Sequence, residues 1–133
     1  MDSNTAVRNA IFTKLSTALT SLVGSRVYYQ QAPTGATYPF AIFSKQSGTK
    51  TRAMGANAFQ SQVWLVKGVD RNTSATTVEA IAAAIDTALD LGTITVAGKT
   101  LADLHHVSDV DYLETSGDQE YRHSGGNYRV VLT

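Results

Sequence analysis

Three histidines and a cluster of acids are the residues of this chain with the types and spacing for chemistry. His105 and His106 are adjacent, and His123 follows some way on. On a strand, adjacent side chains point to opposite faces, so His105 and His106 cannot easily ligate one ion. His105, Asp109 and Asp111 share a face at strand spacing. With His123 from a neighbouring strand, they make a candidate set for a divalent metal in a small enzyme or metal-binding module. The competing reading is a solvated acidic strand face that carries a histidine. Asp109 and Asp111 are also the right residue types for paired acid–base work, but no pocket signal accompanies them. No serine sits in a Gly-x-Ser-x-Gly context, and Ser124-Gly-Gly-Asn lacks the lysine and following helix of a phosphate loop. The chain has no cysteine, so disulfides, thiolate zinc sites and cysteine nucleophiles are excluded.

Charge is more informative than catalysis. The 133 residues hold 11 Lys+Arg and 11 Asp+Glu, a formal net charge of zero. That argues against a general nucleic-acid or anionic-membrane binder, which carries a basic excess. The balance is uneven along the chain. Residues 1–67 hold seven basic residues and one acid, or +6; residues 68–133 hold four and ten, or −6. Lys45, Lys50 and Arg52 lie in a stretch without acids, with Met54 near its tip. They read either as a flexible solvated loop or as a contact arm that orders on a partner. Six acids fall between Asp103 and Glu120 with no Lys or Arg among them. Asp109, Asp111, Glu114, Asp118 and Glu120 are the candidate complement on a neighbouring subunit. Opposite charges on different faces suit head-to-tail association, which closes into a ring where the rotation permits.

These residues need elements to position them. Apolar residues from Ala6 to Leu22 recur every three or four positions, which predicts a helix over Thr5–Val23, capped by Asn4 or Ser3 and stopped by Gly24. Arg8 and Lys14 fall on its polar face. Val27 to Tyr29 and Tyr38 to Lys45 read as strands. Gln46 to Ala58 reads as a long exposed loop. Phe59 to Lys67 alternates as a strand, with Trp64 expected in the core. Thr73 or Ser74 caps a second helix whose stripe runs from Val78 to Leu89, ended by Gly92. A hairpin is expected over residues 93–101, then a strand through Leu104 to Tyr112. The last segment, Glu120 to Leu132, reads as one strand with a bulge at Ser124-Gly-Gly-Asn. The expected architecture is one α+β domain over residues 1–133. It is an antiparallel or mixed sheet with two amphipathic helices packed on one face, in the order α-β-β-β-α-β-β-β. No apolar run approaches the ~20 residues of a membrane span, and no secretory signal is visible at the start. A soluble cytosolic domain is the default expectation.

In sequence, the chain resembles the tail-terminator, or tail-completion, proteins of long-tailed bacteriophages. The likeness rests on the opening helix ending Leu22-Val-Gly, on Val27-Tyr-Tyr, Ala32-Pro33 and Tyr38-Pro-Phe-Ala-Ile-Phe. It continues through Gln62-Val-Trp-Leu-Val, the alanine-rich second helix and the final strand to Tyr128-Arg-Val-Val-Leu. The long basic stretch and the bare Gly-Gly depart from the pattern. The resemblance implies a non-enzymatic virion protein without cofactor or metal. It would form a homo-oligomeric, hexameric ring on the head-proximal end of the tail tube, at the head–tail joint, after assembly in the host cytoplasm. Its partners would be the tail tube protein and the head connector or a neck protein, and DNA would pass through the ring without being read. A head-completion or neck adaptor role at the same joint is the neighbouring alternative.

Overall fold

The first apolar stripe buries as its spacing predicts. The computed structural model describes residues 3–53, 56–71 and 74–133. Helix α1 spans Ser3–Ala18, and a single further turn, α2, spans Thr20–Val23. Between them Leu19 leaves helical geometry while staying fully buried. Gly24 follows with φ of 62° and ψ of −126°, a positive-φ conformation open to glycine but not the αL cap expected of a helix stop. Helix α3, Thr76–Leu89, buries Val78, Ile81, Ile85, Ala88 and Leu89. Ala75 occupies its cap position, while the nearby Ser74 hydroxyl accepts a hydrogen bond from the Thr76 amide at 3.3 Å. The other candidate cap, Thr73, lies outside the described residues. At the far end Leu91, not Gly92, takes the positive φ. Gly92 is needed for a different reason: a Cβ there would lie 2.2 Å from the Ala88 carbonyl oxygen.

Five strands form one mixed sheet: β1 Val27–Tyr29, β2 Phe40–Ala53, β3 Ala56–Asp70, β4 Leu101–Ser116 and β5 Gln119–Leu132. Their order is β1-β2-β3-β5-β4. β1 runs parallel to β2, and the other neighbours are antiparallel. The helices cover one side. There Trp64, Val66, Phe43, Tyr128, Val130 and Leu132 meet Val7, Ile11, Leu15, Ile81 and Ile85 in a single core. Gly68 lets α3 sit close, because an added Cβ would meet Ile81 at 2.5 Å. Trp64 is fully buried against Phe43 and Tyr29, as expected of a core residue. The other face of the sheet has no helix. The segment between β1 and β2 covers one end of it, where Tyr38 packs on Phe40 and Tyr121.

The α+β reading holds, with three local corrections. Gln46 to Ala58 is not a long loop: β2 and β3 pair from Phe40↔Val69 out to Ala53↔Ala56. Gln46 to Lys50 are all polar or glycine, so this part of β2 shows no alternation. The expected hairpin over 93–101 is absent as paired strands, leaving five strands rather than six among the described residues. Ile94 and Val96 instead tuck into the core from an irregular segment, and a turn closes with Lys99 N–H donating to Val96 O at 3.2 Å. The final strand is continuous as expected, but its bulge belongs to its neighbour. β5 pairs with β3 without a register shift, whereas β4 carries an extra residue between His106 and Ser108.

Candidate assembly interface

Two hairpins leave the sheet at opposite ends. The β3–β5 pairing runs from Gln60↔Leu132 to Asp70↔Arg122. Beyond the first pair, β2 and β3 continue alone to Ala53↔Ala56. Beyond the second, β4 and β5 continue alone to Ser116↔Gln119. At about 3.3 Å per residue, the ten steps from Gln60 to Asp70 separate the two ends by ~33 Å. Lys45, Lys50 and Arg52 are all on β2, toward the first end. Asp109, Asp111 and Glu114 are on β4 toward the second, with Asp118 in the turn and Glu120 at the start of β5. Met54 lies outside the described residues. Lys50 pairs with Gln60, while Asp109 aligns through Gly126 with Val66. They are therefore ~20 Å apart along the strands and three strand spacings across, well past a Debye length of about 8 Å. Lys45, level with Trp64, is two steps from Asp109 along the strands but the same three strand spacings across, and among the described residues no ion pair joins the two charge sets.

The acidic hairpin is internally wired. His123 Nε2 lies 3.0 Å from Glu114 Oε1, and its ring stacks on Tyr112 with centroids 4.3 Å apart. Lys67 donates to the Tyr112 hydroxyl at 2.6 Å. Burial holds the His123 pKa below the ordinary histidine value, against the opposing pull of Glu114. Its Nδ1 is buried without a hydrogen-bond partner among the described residues. On the helix side, His106 Nε2 meets Asp109 Oδ1 at 3.0 Å, and Tyr128 donates to Asp86 at 3.1 Å. Burial, then the Asp86 charge and hydrogen bond, raise the Tyr128 pKa well above the usual phenol value. Glu120 lies 3.8 Å from Arg122. Lys45 and Lys50 are exposed, and among the described residues neither has an acid within ion-pair distance.

The metal set proposed from spacing is not assembled. His105 pairs with Arg129, while Asp109 and Asp111 pair with Gly126 and Ser124. Arg129 lies three and five positions from those partners, so the extra residue at Val107 puts His105 on the opposite face. His105 bonds Asp103 at 2.7 Å instead. His123 shares the helix-free face with Glu114, apart from both aspartates. Among the described residues no group of three His, Cys, Asp or Glu is arranged to hold a metal ion. A strand alternation read without its bulge caused the error.

Comparison with known proteins identifies the family. The family described as "Tail completion protein gp17" matches residues 9–133. The chain belongs to this tail-completion family. The family is one of structural tail-completion proteins. A chain of the solved structure titled "Virion of native gene transfer agent (GTA) particle" superposes with a TM-score of 0.76 at 17% identity, covering 98% of this chain and 96% of that one. A second solved structure gives 0.64 at 16% identity, with the same coverage. At such identities the likeness is one of fold. No curated protein matches the sequence.

The tail-completion chain holds its remaining candidates elsewhere. Arg8 is half-buried with its guanidinium 5.1 Å over the Tyr29 ring. Lys14 is also half-buried, beside Thr17, Ala84 and Ala88 in the groove between α1 and α3. Neither lies on the two hairpins. Sequence reasoning missed the Tyr112–His123–Lys67 cluster, because its members come from three strands. It also missed that β4 is an outer strand and that β1 covers β2 only from Ala41 to Phe43, which no periodicity reports.

Proposed function

We infer that this tail-completion protein acts as a ring that caps the head-proximal end of the tail tube, stops further tube subunits from adding, and offers a joining surface to the head connector. The ring is a head-to-tail homo-oligomer, six-membered in this reading, and DNA passes through it unread. One observation carries the proposal: a neutral chain places its basic arm and its acidic hairpin toward opposite ends of one sheet, and among the described residues no ion pair joins them. Neighbouring copies can satisfy both ends, with charge setting register and direction. Lys45, Lys50 and Arg52, with Met54, form one partner set. Asp109, Asp111, Glu114, Asp118 and Glu120 form the other. Arg8 and Lys14 are secondary contacts from α1. The protein resides at the head–tail joint of the virion after assembly in the host cytoplasm.

Electron microscopy of the protein mixed with purified tail tubes tests this. Rings on one end of each tube, and tubes of uniform length, are the expected result. The Lys50→Glu, Arg52→Glu variant should leave tubes uncapped and over-long. Capping by that variant at normal tube length would remove the arm from the mechanism.

A further inference from the structure

Both charged segments lie on strand edges that nothing described in this fold covers. β1 closes the outer edge of β2 only from Ala41 to Phe43, with flanking backbone bonds from Ala41 N–H to Arg26 O and from Gln30 N–H to Phe43 O. From Ser44 to Ala53 no described strand pairs with that edge. β4 is the last strand on the other side, and part of its edge is closed. Leu104 O accepts from Leu91 N–H at 2.9 Å, and His106 N–H donates to Asp90 Oδ1 at 2.9 Å. Those two residues turn their backbone groups outward and pair with Val130 and Tyr128. Two-residue steps down β5 then reach Gly126, Ser124 and Arg122, the partners of Asp109, Asp111 and Leu113. These three therefore also direct their N–H and C=O groups outward, and no described strand pairs with the edge from Ser108 to Ser116.

We propose that the β2 edge Ser44–Ala53 of one copy adds as an antiparallel strand to the β4 edge Ser108–Ser116 of the next, making one sheet continuous across the subunit contact. The inference rests on the head-to-tail reading above and specifies its contact. Three features of the two edges fit. Their free lengths match, ten residues against nine. Their directions match, since β2 and β4 are separated by two intervening antiparallel strands and run oppositely in one chain. A second copy shifted without inversion thus meets β2 in antiparallel register. Their faces match as well. Lys50 is opposite Gln60, on the side where Gln60, Gln62 and Trp64 are buried, and Asp109 and Asp111 share the side of Tyr128. Lys50 is level with Gln60 and Asp111 with Gly68, so a second copy staggered by about eight residues along the strands brings Lys50 onto the same face as the two aspartates and within cross-strand reach.

The same arrangement excludes the alternatives. Two β2 edges together would oppose lysines, and two β4 edges would oppose aspartates, both destabilising. Only the unlike pair attracts, and it propagates from copy to copy until the rotation closes it. Strand addition supplies the main-chain bonds, and charge selects the partner edge.

The absence of cysteine makes the test clean. A Lys50→Cys, Asp111→Cys chain, oxidised on purified tail tubes, should give a ladder of covalent oligomers ending in a closed ring. Leu113→Pro keeps every charge but removes one outward N–H. It should lower the amount of oligomer and of tube-bound protein at least tenfold, whereas Leu113→Ala should not, with circular dichroism confirming that both fold. Normal assembly of Leu113→Pro, with crosslinks forming only when Cys replaces Asp118 rather than Asp111, would overturn strand addition. That result would leave an end-to-end charge contact, and the ring reading, intact. Absence of any oligomer or tube-bound ring for the unaltered protein would overturn both.

Discussion

The basic and acidic hairpins are built on the same central pair of strands but stabilised differently. The acidic hairpin folds back on its own chain: Glu114 on His123, Tyr112 on Lys67, Asp109 on His106, Glu120 near Arg122. The basic arm has a bulge at Gln46 and exposed lysines without a described ionic partner. The contrast separates a preformed surface from a reaching one. Electrostatics that are satisfied internally hold a hairpin in place, while charges left over direct it to something outside.

The largest effect should come from exchanging the charges. Lys45→Glu with Lys50→Glu should abolish assembly, as should Asp109→Lys with Asp111→Lys. Mixing the two variants in equal amounts should recover mixed oligomers, read by light scattering and native mass spectrometry. If each reversed protein assembles alone as well as the original, the two hairpins are not partners. Next comes Gly125→Ala, which tests the seam where β5 of the acidic hairpin packs beside β3 of the basic arm. A Cβ there would meet Val66 O at 2.1 Å and Lys67 Cα at 2.5 Å. We expect a loss of about 2–3 kcal/mol in urea unfolding, the upper part of the overpacking range.

A smaller effect should follow Glu114→Gln. The carboxylate side chain is 58% exposed, so its bond to His123 is solvent-screened and worth at most about 1 kcal/mol by chemical denaturation. No comparable single substitution in the basic arm should destabilise the monomer by that route. The smallest effect is on pH. Burial lowers the folded His123 pKa from 6.5, so the unfolded chain binds that proton more readily. The histidine's contribution is complete above the unfolded value of 6.5. It is lost as pH falls below that value, down to the folded pKa. His123→Gln should flatten the fall in Tm between pH 7 and 5, and an unchanged slope would show that other groups dominate there.

Much of the frame was legible in the sequence because the core obeys simple periods. The stripe through Val7, Ile11 and Leu15 and that through Val78, Ile81 and Ile85 report helices, and Trp64 reports the buried side of β3. What failed did so where the core no longer imposes a period. Residues 46–53 are strand without an apolar face. Ile94 and Val96 are buried without strand pairing. One extra residue at Val107 reversed the faces of everything after it, turning His105 away from Asp109 and Asp111.

The sequence by itself determined the α+β class, the two helical stripes, the lack of cysteine chemistry and the +6 against −6 division of charge. These depend on local spacing and on composition. Tertiary structure alone decided where the charges stand. Strand order and register carry the basic arm and the acidic hairpin toward opposite ends, and leave part of one edge of each sign uncovered. Pairing between strands distant in the chain leaves no mark in either one's local pattern, so only the folded sheet could turn a neutral composition into a molecule with a basic and an acidic end.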